Sequence, residues 1–341
     1  MNCSVISIDI AKNIFQVCGL DKEHKVLFNK KVKRDRLLIE LAKHESSLVV
    51  MEACYSSNPW GRRINQLGHT AKCIPAFMVK PFLVGNKNDR NDALAIAEAA
   101  LRPSVRLIDI KPVEQQDIQS LQRIRERLVK VRTGAINQLR GLLAEYGEVC
   151  PKKFAGIRKQ LPQILEDAEN ELSAVARDFI YRLYQDILRL YNEIDEIELT
   201  INNLVKDRKD YQKLITIPGV GPIVASTILA SVNDPKGFKN GRQFAAWVGV
   251  TPRQYASGDT THMGSITKRG NQTLRKMLIH GARAVLNWCE QKDDKLSLWL
   301  QQLKHRMTGN RAVVALANKL ARIIWAVLAF DTEFDMNKAC A

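Results

Sequence analysis

The sequence lacks the cysteine patterns of zinc sites and of disulfide frameworks. It has seven cysteines, and none of them stands in a Cys-x-x-Cys pair. The first residues also lack the basic region of a secretory signal, and Asp9 and Lys12 interrupt their apolar run. These absences predict a protein of a reducing cytoplasm.

The sequence also lacks a long apolar run without charges. Its most apolar late segment, residues 312–330, carries Lys319 and Arg322. Charges at these positions favour an amphipathic helix that packs in a protein core over a helix that spans a membrane. We therefore expect no membrane partner.

Positive charge is what the sequence has in excess. There are 52 Lys and Arg residues against 36 Asp and Glu, which gives a formal net charge of +16 over 341 residues. Such an excess predicts a polyanionic partner, with nucleic acid first and an anionic membrane surface second. The length is sufficient for two or three domains.

The first 110 residues carry the pattern of an α/β domain. Short β-prone runs occur in "CSVISIDIA", "NIFQVCGLD" and "KVLFNKKVK", and later at 47–53 and 70–75. Helical patterns cover 35–44 and 58–67, and an alanine-rich helix begins near residue 88. Three strands in a meander, followed by helix–strand–helix–strand–helix, form the element order of a ribonuclease-H-like fold, which we predict here.

One long helix is predicted over 114–146, and one side of it is strongly basic. The cations of this side are Arg123, Arg125, Arg127, Lys130, Arg132 and Arg140. They form either a solvated surface or a stripe that binds phosphates. We take Arg123, Arg127 and Lys130 as candidate nucleic-acid contacts.

A heptad seam follows at 172–206. Its apolar residues, three or four apart, are Ile180, Leu183, Ile187, Leu190, Ile194, Ile197, Ile201 and Leu204. A seam this narrow requires one partner helix, either from the same chain or from a second copy. We favour the second copy and predict a coiled coil that serves self-association.

A tight turn between two apolar helices is predicted at "LITIPGVGPIVASTILASV", residues 214–232. This is the helix-hairpin-helix pattern, in which Gly219 and Gly221 would let the backbone approach a phosphate. The alternative is a plain turn between two helices. The remaining chain is mostly helical, apart from a predicted loop rich in Gly, Ser and Thr at 251–272.

Four acids of the first domain are candidates for a metal site. Asp9 lies in an apolar strand, where an acid is costly unless something stabilises it, and Glu52 ends another apolar strand. Asp89 and Asp92, three residues apart, share one face of the first turn of the alanine-rich helix. Alternatively, one residue of this turn is only a helix cap. If the four carboxylates meet, oxygen ligands of this kind select Mg²⁺ or Mn²⁺, which serve phosphodiester chemistry.

Six motifs of the sequence are similar to those of a known family. They are "ISIDIAKNIFQV", "VVMEACYSSNPW", "KNDRNDALAIAE", "LITIPGVGPIVASTILA", "FAAWVGVTPRQYASG" and "ITKRGNQTLRKML". In this order they resemble the DEDD-type insertion-sequence transposases, a group that includes the Piv-type DNA invertases and the bridge-RNA-guided recombinases. The resemblance runs from about residue 4 to 330.

The resemblance implies a domain organisation and a site. It implies a RuvC-like domain with its basic helix at 1–150, a helical coiled-coil segment at 151–206 and a mostly α-helical transposase domain at 207–341. The D-E-D-D tetrad falls on the four acids named above. The nucleophilic serine, which follows "TPRQY", falls on Ser257.

The resemblance also implies a mechanism and partners. The serine domain of one subunit would complete the acidic site of another in a dimer or tetramer, and Ser257 would form a covalent 5′-phosphoserine with DNA. The partners would be donor DNA, target DNA and a guide or bridge RNA, in a prokaryotic cytoplasm and in association with the nucleoid. Candidate phosphate contacts near the serine, which could also be solubilising surface residues, are Arg253, Lys268, Arg269, Arg275 and Lys276.

Two other functions stay open at this point. A RuvC-like endonuclease would use the same acids but would hydrolyse DNA with water. A non-catalytic protein would bind DNA through the helix-hairpin-helix alone. Site-specific inversion is a variant of the leading hypothesis, since it differs in the DNA sites more than in the residues.

Overall fold

A computed structural model describes residues 3–86 and 88–339, and the chain divides into two units, Met1–Glu114 and Gln115–Ala341. The first unit is α/β and the second is mostly helical, as predicted. The basic helix, which we predicted as part of the first domain, lies almost wholly in the second unit, together with the heptad segment.

The first unit is built on a six-stranded mixed sheet. Its strands are β1 (Val5–Asp9), β2 (Ile14–Leu20), β3 (Val26–Lys33), β4 (Leu48–Glu52), β5 (Thr70–Ile74) and β6 (Ile108–Asp109). Their order in the sheet is β3-β2-β1-β4-β5-β6. The first three strands pair antiparallel, β1, β4 and β5 run parallel, and β6 is antiparallel to β5.

Four helices cover this sheet. They are α1 (Leu37–Leu41), α2 (Ser57–Gln66), α3 (Ala76–Val79) and α4 (Asp89–Ala100). Alternate residues of a strand face opposite sides of a sheet. Ile6 and Ile8 of β1 belong to the apolar cluster that contains Trp60 of α2, whereas Val5 belongs to the cluster that contains Ala93 and Ile96 of α4. Val5, Ser7 and Asp9 therefore face the side of the sheet that α4 covers.

The second unit contains most of α5 and all remaining elements. Its helices are α5 (Val113–Glu145), α6 (Phe154–Glu166), α7 (Ala174–Val205), α8 (Lys209–Ile215), α9 (Pro222–Ser231), α10 (Gly241–Val248), α11 (Gln272–Trp288), α12 (Lys295–Arg306), α13 (Gly309–Ala329) and α14 (Met336–Ala339). A separate antiparallel ribbon consists of β7 (Pro252–Ser257) and β8 (Thr260–Ile266). Helix α13 is long and apolar enough to span a membrane by composition alone. It nevertheless packs in the core of this unit, in agreement with the sequence-based expectation.

The heptad seam of α7 packs against α5 of the same chain. Leu190 and Ile194 cluster with Leu128 of α5, and the Arg125 guanidinium lies 2.6 Å from the Glu198 carboxylate. Ile180 and Ile187 cluster with residues near the other end of α5, so the two helices run antiparallel. The seam therefore has its partner within the chain. The self-association that we favoured does not follow from it.

The predicted turn between two apolar helices is present between α8 and α9. Gly219 has a left-handed backbone with φ of 82°, which favours glycine. A Cβ atom on Gly219 would lie 2.9 Å from the Gly281 carbonyl oxygen of α11. A Cβ on Gly221, by contrast, would meet nothing within 4 Å. Close packing on α11 therefore accounts for Gly219, and only Gly221 leaves open space for a phosphate.

Gly281→Ala tests this packing directly. The new methyl group would overlap the Gly219 carbonyl oxygen, so the free energy of unfolding should fall by about 1–3 kcal/mol. Thermal unfolding followed by circular dichroism measures the change. Gly221→Ala is the matched control, because its backbone suits alanine and its change should stay below about 1 kcal/mol. Equal effects of the two substitutions would contradict the packing.

Candidate active site

Two of the predicted acids end neighbouring parallel strands. Asp9 is the last residue of β1 and Glu52 the last of β4, and each directly follows the paired residues Ile8 and Met51. Neighbouring strands lie about 4.8 Å apart. Glu52 lies two residues after Val50, which packs with α4, so both acids belong to the α4 side of the sheet. Both are half-buried. The structure thus places Asp9 and Glu52 side by side at the carboxyl edge.

The other two acids begin the helix on that side. Asp89 and Asp92 lie in the first turn of α4, where the helix dipole favours carboxylates. The cap is Asn88, whose Oδ1 accepts a hydrogen bond of 2.9 Å from the Asn91 amide. The carboxylate of Asp89 is therefore not needed as the cap. Asp92 is half-buried and Asp89 is exposed.

A buried hydroxyl joins this turn to β1. Ser7 is fully buried, and its Oγ donates a hydrogen bond of 2.5 Å to the carbonyl oxygen of Ala93. Ala93 follows Asp92, and Ser7 lies two residues before Asp9 on the same face of the strand. The first turn of α4 is thereby fixed near the carboxyl end of β1. We did not single out Ser7 from the sequence, although a polar residue within "VISID" was a usable signal.

Oxygen is the only ligand type that these four side chains offer, and this suits Mg²⁺ or Mn²⁺. Cys18 is close by in β2, but burial raises the pKa of its thiol to about 11, so it is protonated at neutral pH. Within the described ranges, no three His, Cys, Asp or Glu side chains are arranged as a metal-binding group. The acids therefore lie on the same side of the sheet, but no three of these four described residues converge as a ligand cluster in this structure.

Ser257 lies at the tip of the ribbon in the second unit. It is the last residue of β7 and pairs with Thr260 across a two-residue turn, in which Gly258 has a φ of 55°. Every residue of β7 is exposed. The predicted loop at 251–272 is therefore largely a ribbon, and its serine is accessible to an external partner.

Two glycines close the base of this ribbon. Gly249 and Gly270 both have left-handed backbones, with φ of 83° and 85°. A Cβ atom on either would overlap the opposite segment, at the carbonyl oxygen of Arg269 or of Trp247. The Lys268 amide donates a hydrogen bond of 3.2 Å to the Gly249 carbonyl. The motifs "VGVTP" and "KRGN" thus supply the backbone contacts that hold the ribbon on the helices.

The five cations predicted near the serine divide into two groups. Arg253, Lys268 and Arg269 are exposed, and the two arginines line an open cavity of about 420 Å³ beside Tyr255. Arg275 has another role, because its Nη1 donates to the carbonyl oxygens of Val248 and Arg269, at 3.2 Å each.

Lys276 also has a partner within the unit. Its Nζ lies 3.1 Å from the Glu126 carboxylate of α5, and the same carboxylate accepts a hydrogen bond from Thr273. The first three cations are therefore better placed for phosphates than Arg275 and Lys276, whose contacts hold α11 to the ribbon base and to α5.

The cations of α5 also include some with partners inside the unit and some that are exposed. Arg125 pairs with Glu198, and the Arg132 guanidinium lies 4.3 Å from the centre of the Tyr191 ring, so both face α7. Arg123, Arg127 and Lys130 are exposed and lie four and three residues apart on one face of the helix. These three were the contacts selected from the sequence.

An α/β unit with acids at the carboxyl ends of its parallel strands, followed by a mostly helical unit, fits the class of DEDD nuclease-like transposases. A transposase family model of the DEDD type matches residues 6–148, and the model described as "Transposase IS116/IS110/IS902 family" matches residues 211–297. The chain belongs to this IS110-type family of insertion-sequence transposases. The first match includes the four acids and the second includes Ser257.

Full-length relatives agree with this assignment. The transposase for insertion sequence element IS1111A of Coxiella burnetii is 44% identical over 95% of this chain and 89% of its own length. A "Probable family 20 transposase" of Pseudomonas aeruginosa is 41% identical over 97% and 98%. The transposase for insertion sequence element IS1328 of Yersinia enterocolitica is 37% identical over 98% and 99%.

Proposed function

We propose that this transposase cuts and rejoins DNA at a composite site made of Asp9, Glu52, Asp89, Asp92 and Ser257. The observation that supports the proposal is that Asp9 and Glu52 end neighbouring parallel strands, while Asp89 and Asp92 begin the helix on the same side of the sheet. The order of the sheet, three antiparallel strands followed by parallel ones, supports a ribonuclease-H-like domain of the RuvC type. The acids would hold Mg²⁺ or Mn²⁺.

The chemistry proceeds in two exchanges of phosphodiester bonds. The divalent cation, when bound, neutralises charge on the scissile phosphate. The Ser257 Oγ attacks phosphorus, loses its proton and forms an Oγ–P bond, while the P–O3′ bond breaks and the DNA leaves with a 3′ hydroxyl. The 5′-phosphoserine keeps the bond energy until a new 3′ hydroxyl attacks and regenerates the serine. Strand exchange then requires no hydrolysis.

A second copy of the chain completes the site in this proposal. Ser257 belongs to one unit and the acids to the other, and the ribbon exposes every residue of its first strand. A two-stranded ribbon without a buried face is marginally stable by itself, so an external partner would order it. We propose that the ribbon of one subunit enters the acidic corner of another, in a dimer or tetramer.

The partners that we propose are donor DNA, target DNA and a guide or bridge RNA. The basic composition and the exposed α5 stripe support nucleic acid in general. An A-form duplex would be bound through its backbone, which needs cations at a regular spacing and no base-reading module. We propose that Arg123, Arg127 and Lys130, which are exposed on one face of α5, make these contacts.

A covalent-adduct assay tests the function. The protein is incubated with Mg²⁺, RNA transcribed from the DNA that flanks its gene, and a labelled DNA carrying the element end. The expected product is labelled DNA attached to the protein after denaturation. Nicked DNA without an adduct would support the hydrolytic endonuclease, and intact DNA in every condition would contradict catalysis.

The triple variant Arg123→Gln, Arg127→Gln, Lys130→Gln should bind nucleic acid more weakly. Affinity falls as salt rises, so the slope of log affinity against log salt concentration is negative. Each lost phosphate contact reduces the magnitude of this slope by about 0.9 for duplex DNA. Fluorescence anisotropy over a salt series, with duplex DNA and with structured RNA, measures this slope. We expect a reduction of about two to three.

A matched triple variant controls for the loss of charge. Arg158, Lys159 and Arg182 are exposed cations of the same unit, on α6 and α7. Their replacement by glutamine removes the same charge but leaves the α5 stripe intact. An equal loss of slope in both triple variants would show that net charge, and not the stripe, determines binding.

A further inference from the structure

Gln16 of β2 lies directly beside Asp9. The two residues are antiparallel partners across β1 and β2, so their side chains share the face that α4 covers. Paired residues have Cβ atoms about 5 Å apart. Gln16 is 95% buried, since only 5% of its surface is exposed. A buried amide therefore borders the acidic corner.

The hydrogen bonds of Asn29 determine how this amide is oriented. Asn29 of β3 lies 3.0 Å from the Arg90 carbonyl oxygen, which can only accept, so Asn29 presents its Nδ2 there. Its Oδ1 then faces Gln16 at 2.6 Å, and Gln16 must present its Nε2. The atom of Gln16 that remains is Oε1.

That oxygen is an unsatisfied acceptor. Among the residues that the structure describes, the Gln16 Oε1 atom is buried and has no hydrogen-bond partner. Buried side-chain oxygens are nearly always satisfied, so one without a partner requires a reason. This oxygen lies on the same face of the sheet as Asp9 and is of the ligand type that Mg²⁺ and Mn²⁺ prefer.

The same amide is linked to the helix that carries the other acids. Gln16 donates to Asn29, and Asn29 donates to the Arg90 carbonyl, which lies between Asp89 and Asp92 in the first turn of α4. A shift of Gln16 would therefore shift Asp92 relative to Asp9. Ser7 joins the same turn to β1 independently.

We propose that Gln16 is a fifth oxygen-bearing residue of the divalent-cation site. Its Oε1 would supply an oxygen to the cation, and its Nε2, through Asn29, positions the first turn of α4. This inference rests on the proposed function, since it requires the four acids to hold a cation. Partners beyond the carboxylates commonly change metal affinity by 10–100-fold when they are removed.

Mn²⁺ binding to the full-length protein tests the inference without any activity assay. Electron paramagnetic resonance of free Mn²⁺ in a titration gives the affinity of wild type, Gln16→Met and Gln16→Glu. The methionine variant removes both polar atoms at similar volume, and we expect it to bind at least about tenfold more weakly. The glutamate variant keeps Oε1 and replaces Nε2 with a second oxygen, so it loses the hydrogen bond to Asn29 but adds a negative charge beside the cation. Because the added charge outweighs one hydrogen bond, we expect it to bind at least as tightly as wild type.

A matched control and two contrary results complete the test. Gln66→Met changes an exposed glutamine of α2 and should bind Mn²⁺ like wild type. Wild-type affinity in Gln16→Met would overturn the role of Gln16. An equal loss in Gln16→Glu would overturn the role of Oε1 as a ligand, because it would trace the loss to packing or to the hydrogen bond with Asn29. Should the methionine variant fail to fold, the Mn²⁺ affinity of Gln16→Glu decides whether Gln16 belongs to the site: weaker binding than wild type would overturn the inference.

The proposed function fails in a distinguishable way. If wild-type protein binds no Mn²⁺, or if Asp9→Asn binds as tightly as wild type, the acidic cation site itself is wrong. The inference about Gln16 is then overturned with it. If wild-type protein binds Mn²⁺ and Asp9→Asn does not, the acidic cation site is supported. The Mn²⁺ affinities of the Gln16 variants then test the role of Gln16 alone.

Discussion

Ser257→Ala should lose both DNA cleavage and the covalent protein–DNA adduct. The substitution removes the oxygen that attacks phosphorus, and alanine cannot replace it. Loss of a serine nucleophile lowers the rate on the order of 10⁴-fold or more. The measurement is the yield of labelled DNA attached to denatured protein, together with the yield of nicked DNA. Binding of DNA should change little, because the tip of the ribbon keeps its backbone.

Ser265→Ala is the matched control for this result. Ser265 lies on β8 of the same ribbon and is exposed like Ser257. It should retain cleavage and adduct formation at wild-type yield. If Ser257→Ala still nicked DNA at the wild-type rate, water would be the nucleophile, and the hydrolytic endonuclease would replace the recombinase as the best account.

Asp9→Asn should abolish metal-dependent cleavage while leaving the fold intact. The amide has the shape of the carboxylate but carries no charge, so the cation loses its principal attraction at the carboxyl end of β1. Several kcal/mol of charge stabilisation are then lost, which corresponds to about 10³-fold in rate. Initial rates of adduct formation at several Mg²⁺ concentrations provide the measurement.

Glu45→Gln provides the control for the loss of one negative charge. Glu45 is an exposed acid of the same unit, away from the carboxyl ends of the parallel strands. It should cleave like wild type, and both variants should unfold near the wild-type temperature. Full activity of Asp9→Asn would show that the Asp9 carboxylate does not take part in cleavage. Absence of activity in wild type and variant alike would leave only the nucleic-acid-binding interpretation of the chain.

The acidic corner illustrates what the sequence could predict. Asp9 and Glu52 each end a β-prone run, and the carboxyl ends of parallel strands meet at one edge of a sheet. Asp89 and Asp92 begin a helix whose alanines mark a close-packed face. These are local signals for the ends of strands and for the start of a helix, and the structure has Asp9 and Glu52 at the ends of β1 and β4 and Asp89 and Asp92 in the first turn of α4. That the four carboxylates act together stays a prediction. Gln16 and Asn29 carried no such signal, because their importance comes from pairing between strands.

The ribbon illustrates what local pattern could not give. Both faces of β7 are exposed, so its residues show no alternation of apolar and polar side chains, and a loop was predicted instead. Its base depends on Gly249 and Gly270, which meet backbone from distant parts of the sequence. Contacts of this kind are visible only in three dimensions.

The choice of partner was the other source of error. The spacing of the α7 seam predicts packing against another helix, but it cannot say which helix supplies the contact. Parts of the seam also pack beyond α5, since Ile180 clusters with Leu161 of α6 and Ile201 with Val224 of α9. The structure selects α5, with Leu128 against Leu190 and Ile194. Arg275 and Lys276 likewise have the composition of phosphate contacts, but the structure gives both of them intramolecular partners.

A crystal of the protein grown with Mn²⁺ would test the central proposition most directly. Anomalous scattering locates Mn²⁺ independently of any assumption about its ligands. We predict a peak between the carboxylates of Asp9 and Glu52 and within reach of Asp92. Strong peaks confined to other parts of the surface, with the corner of β1 and β4 holding no manganese, would contradict it.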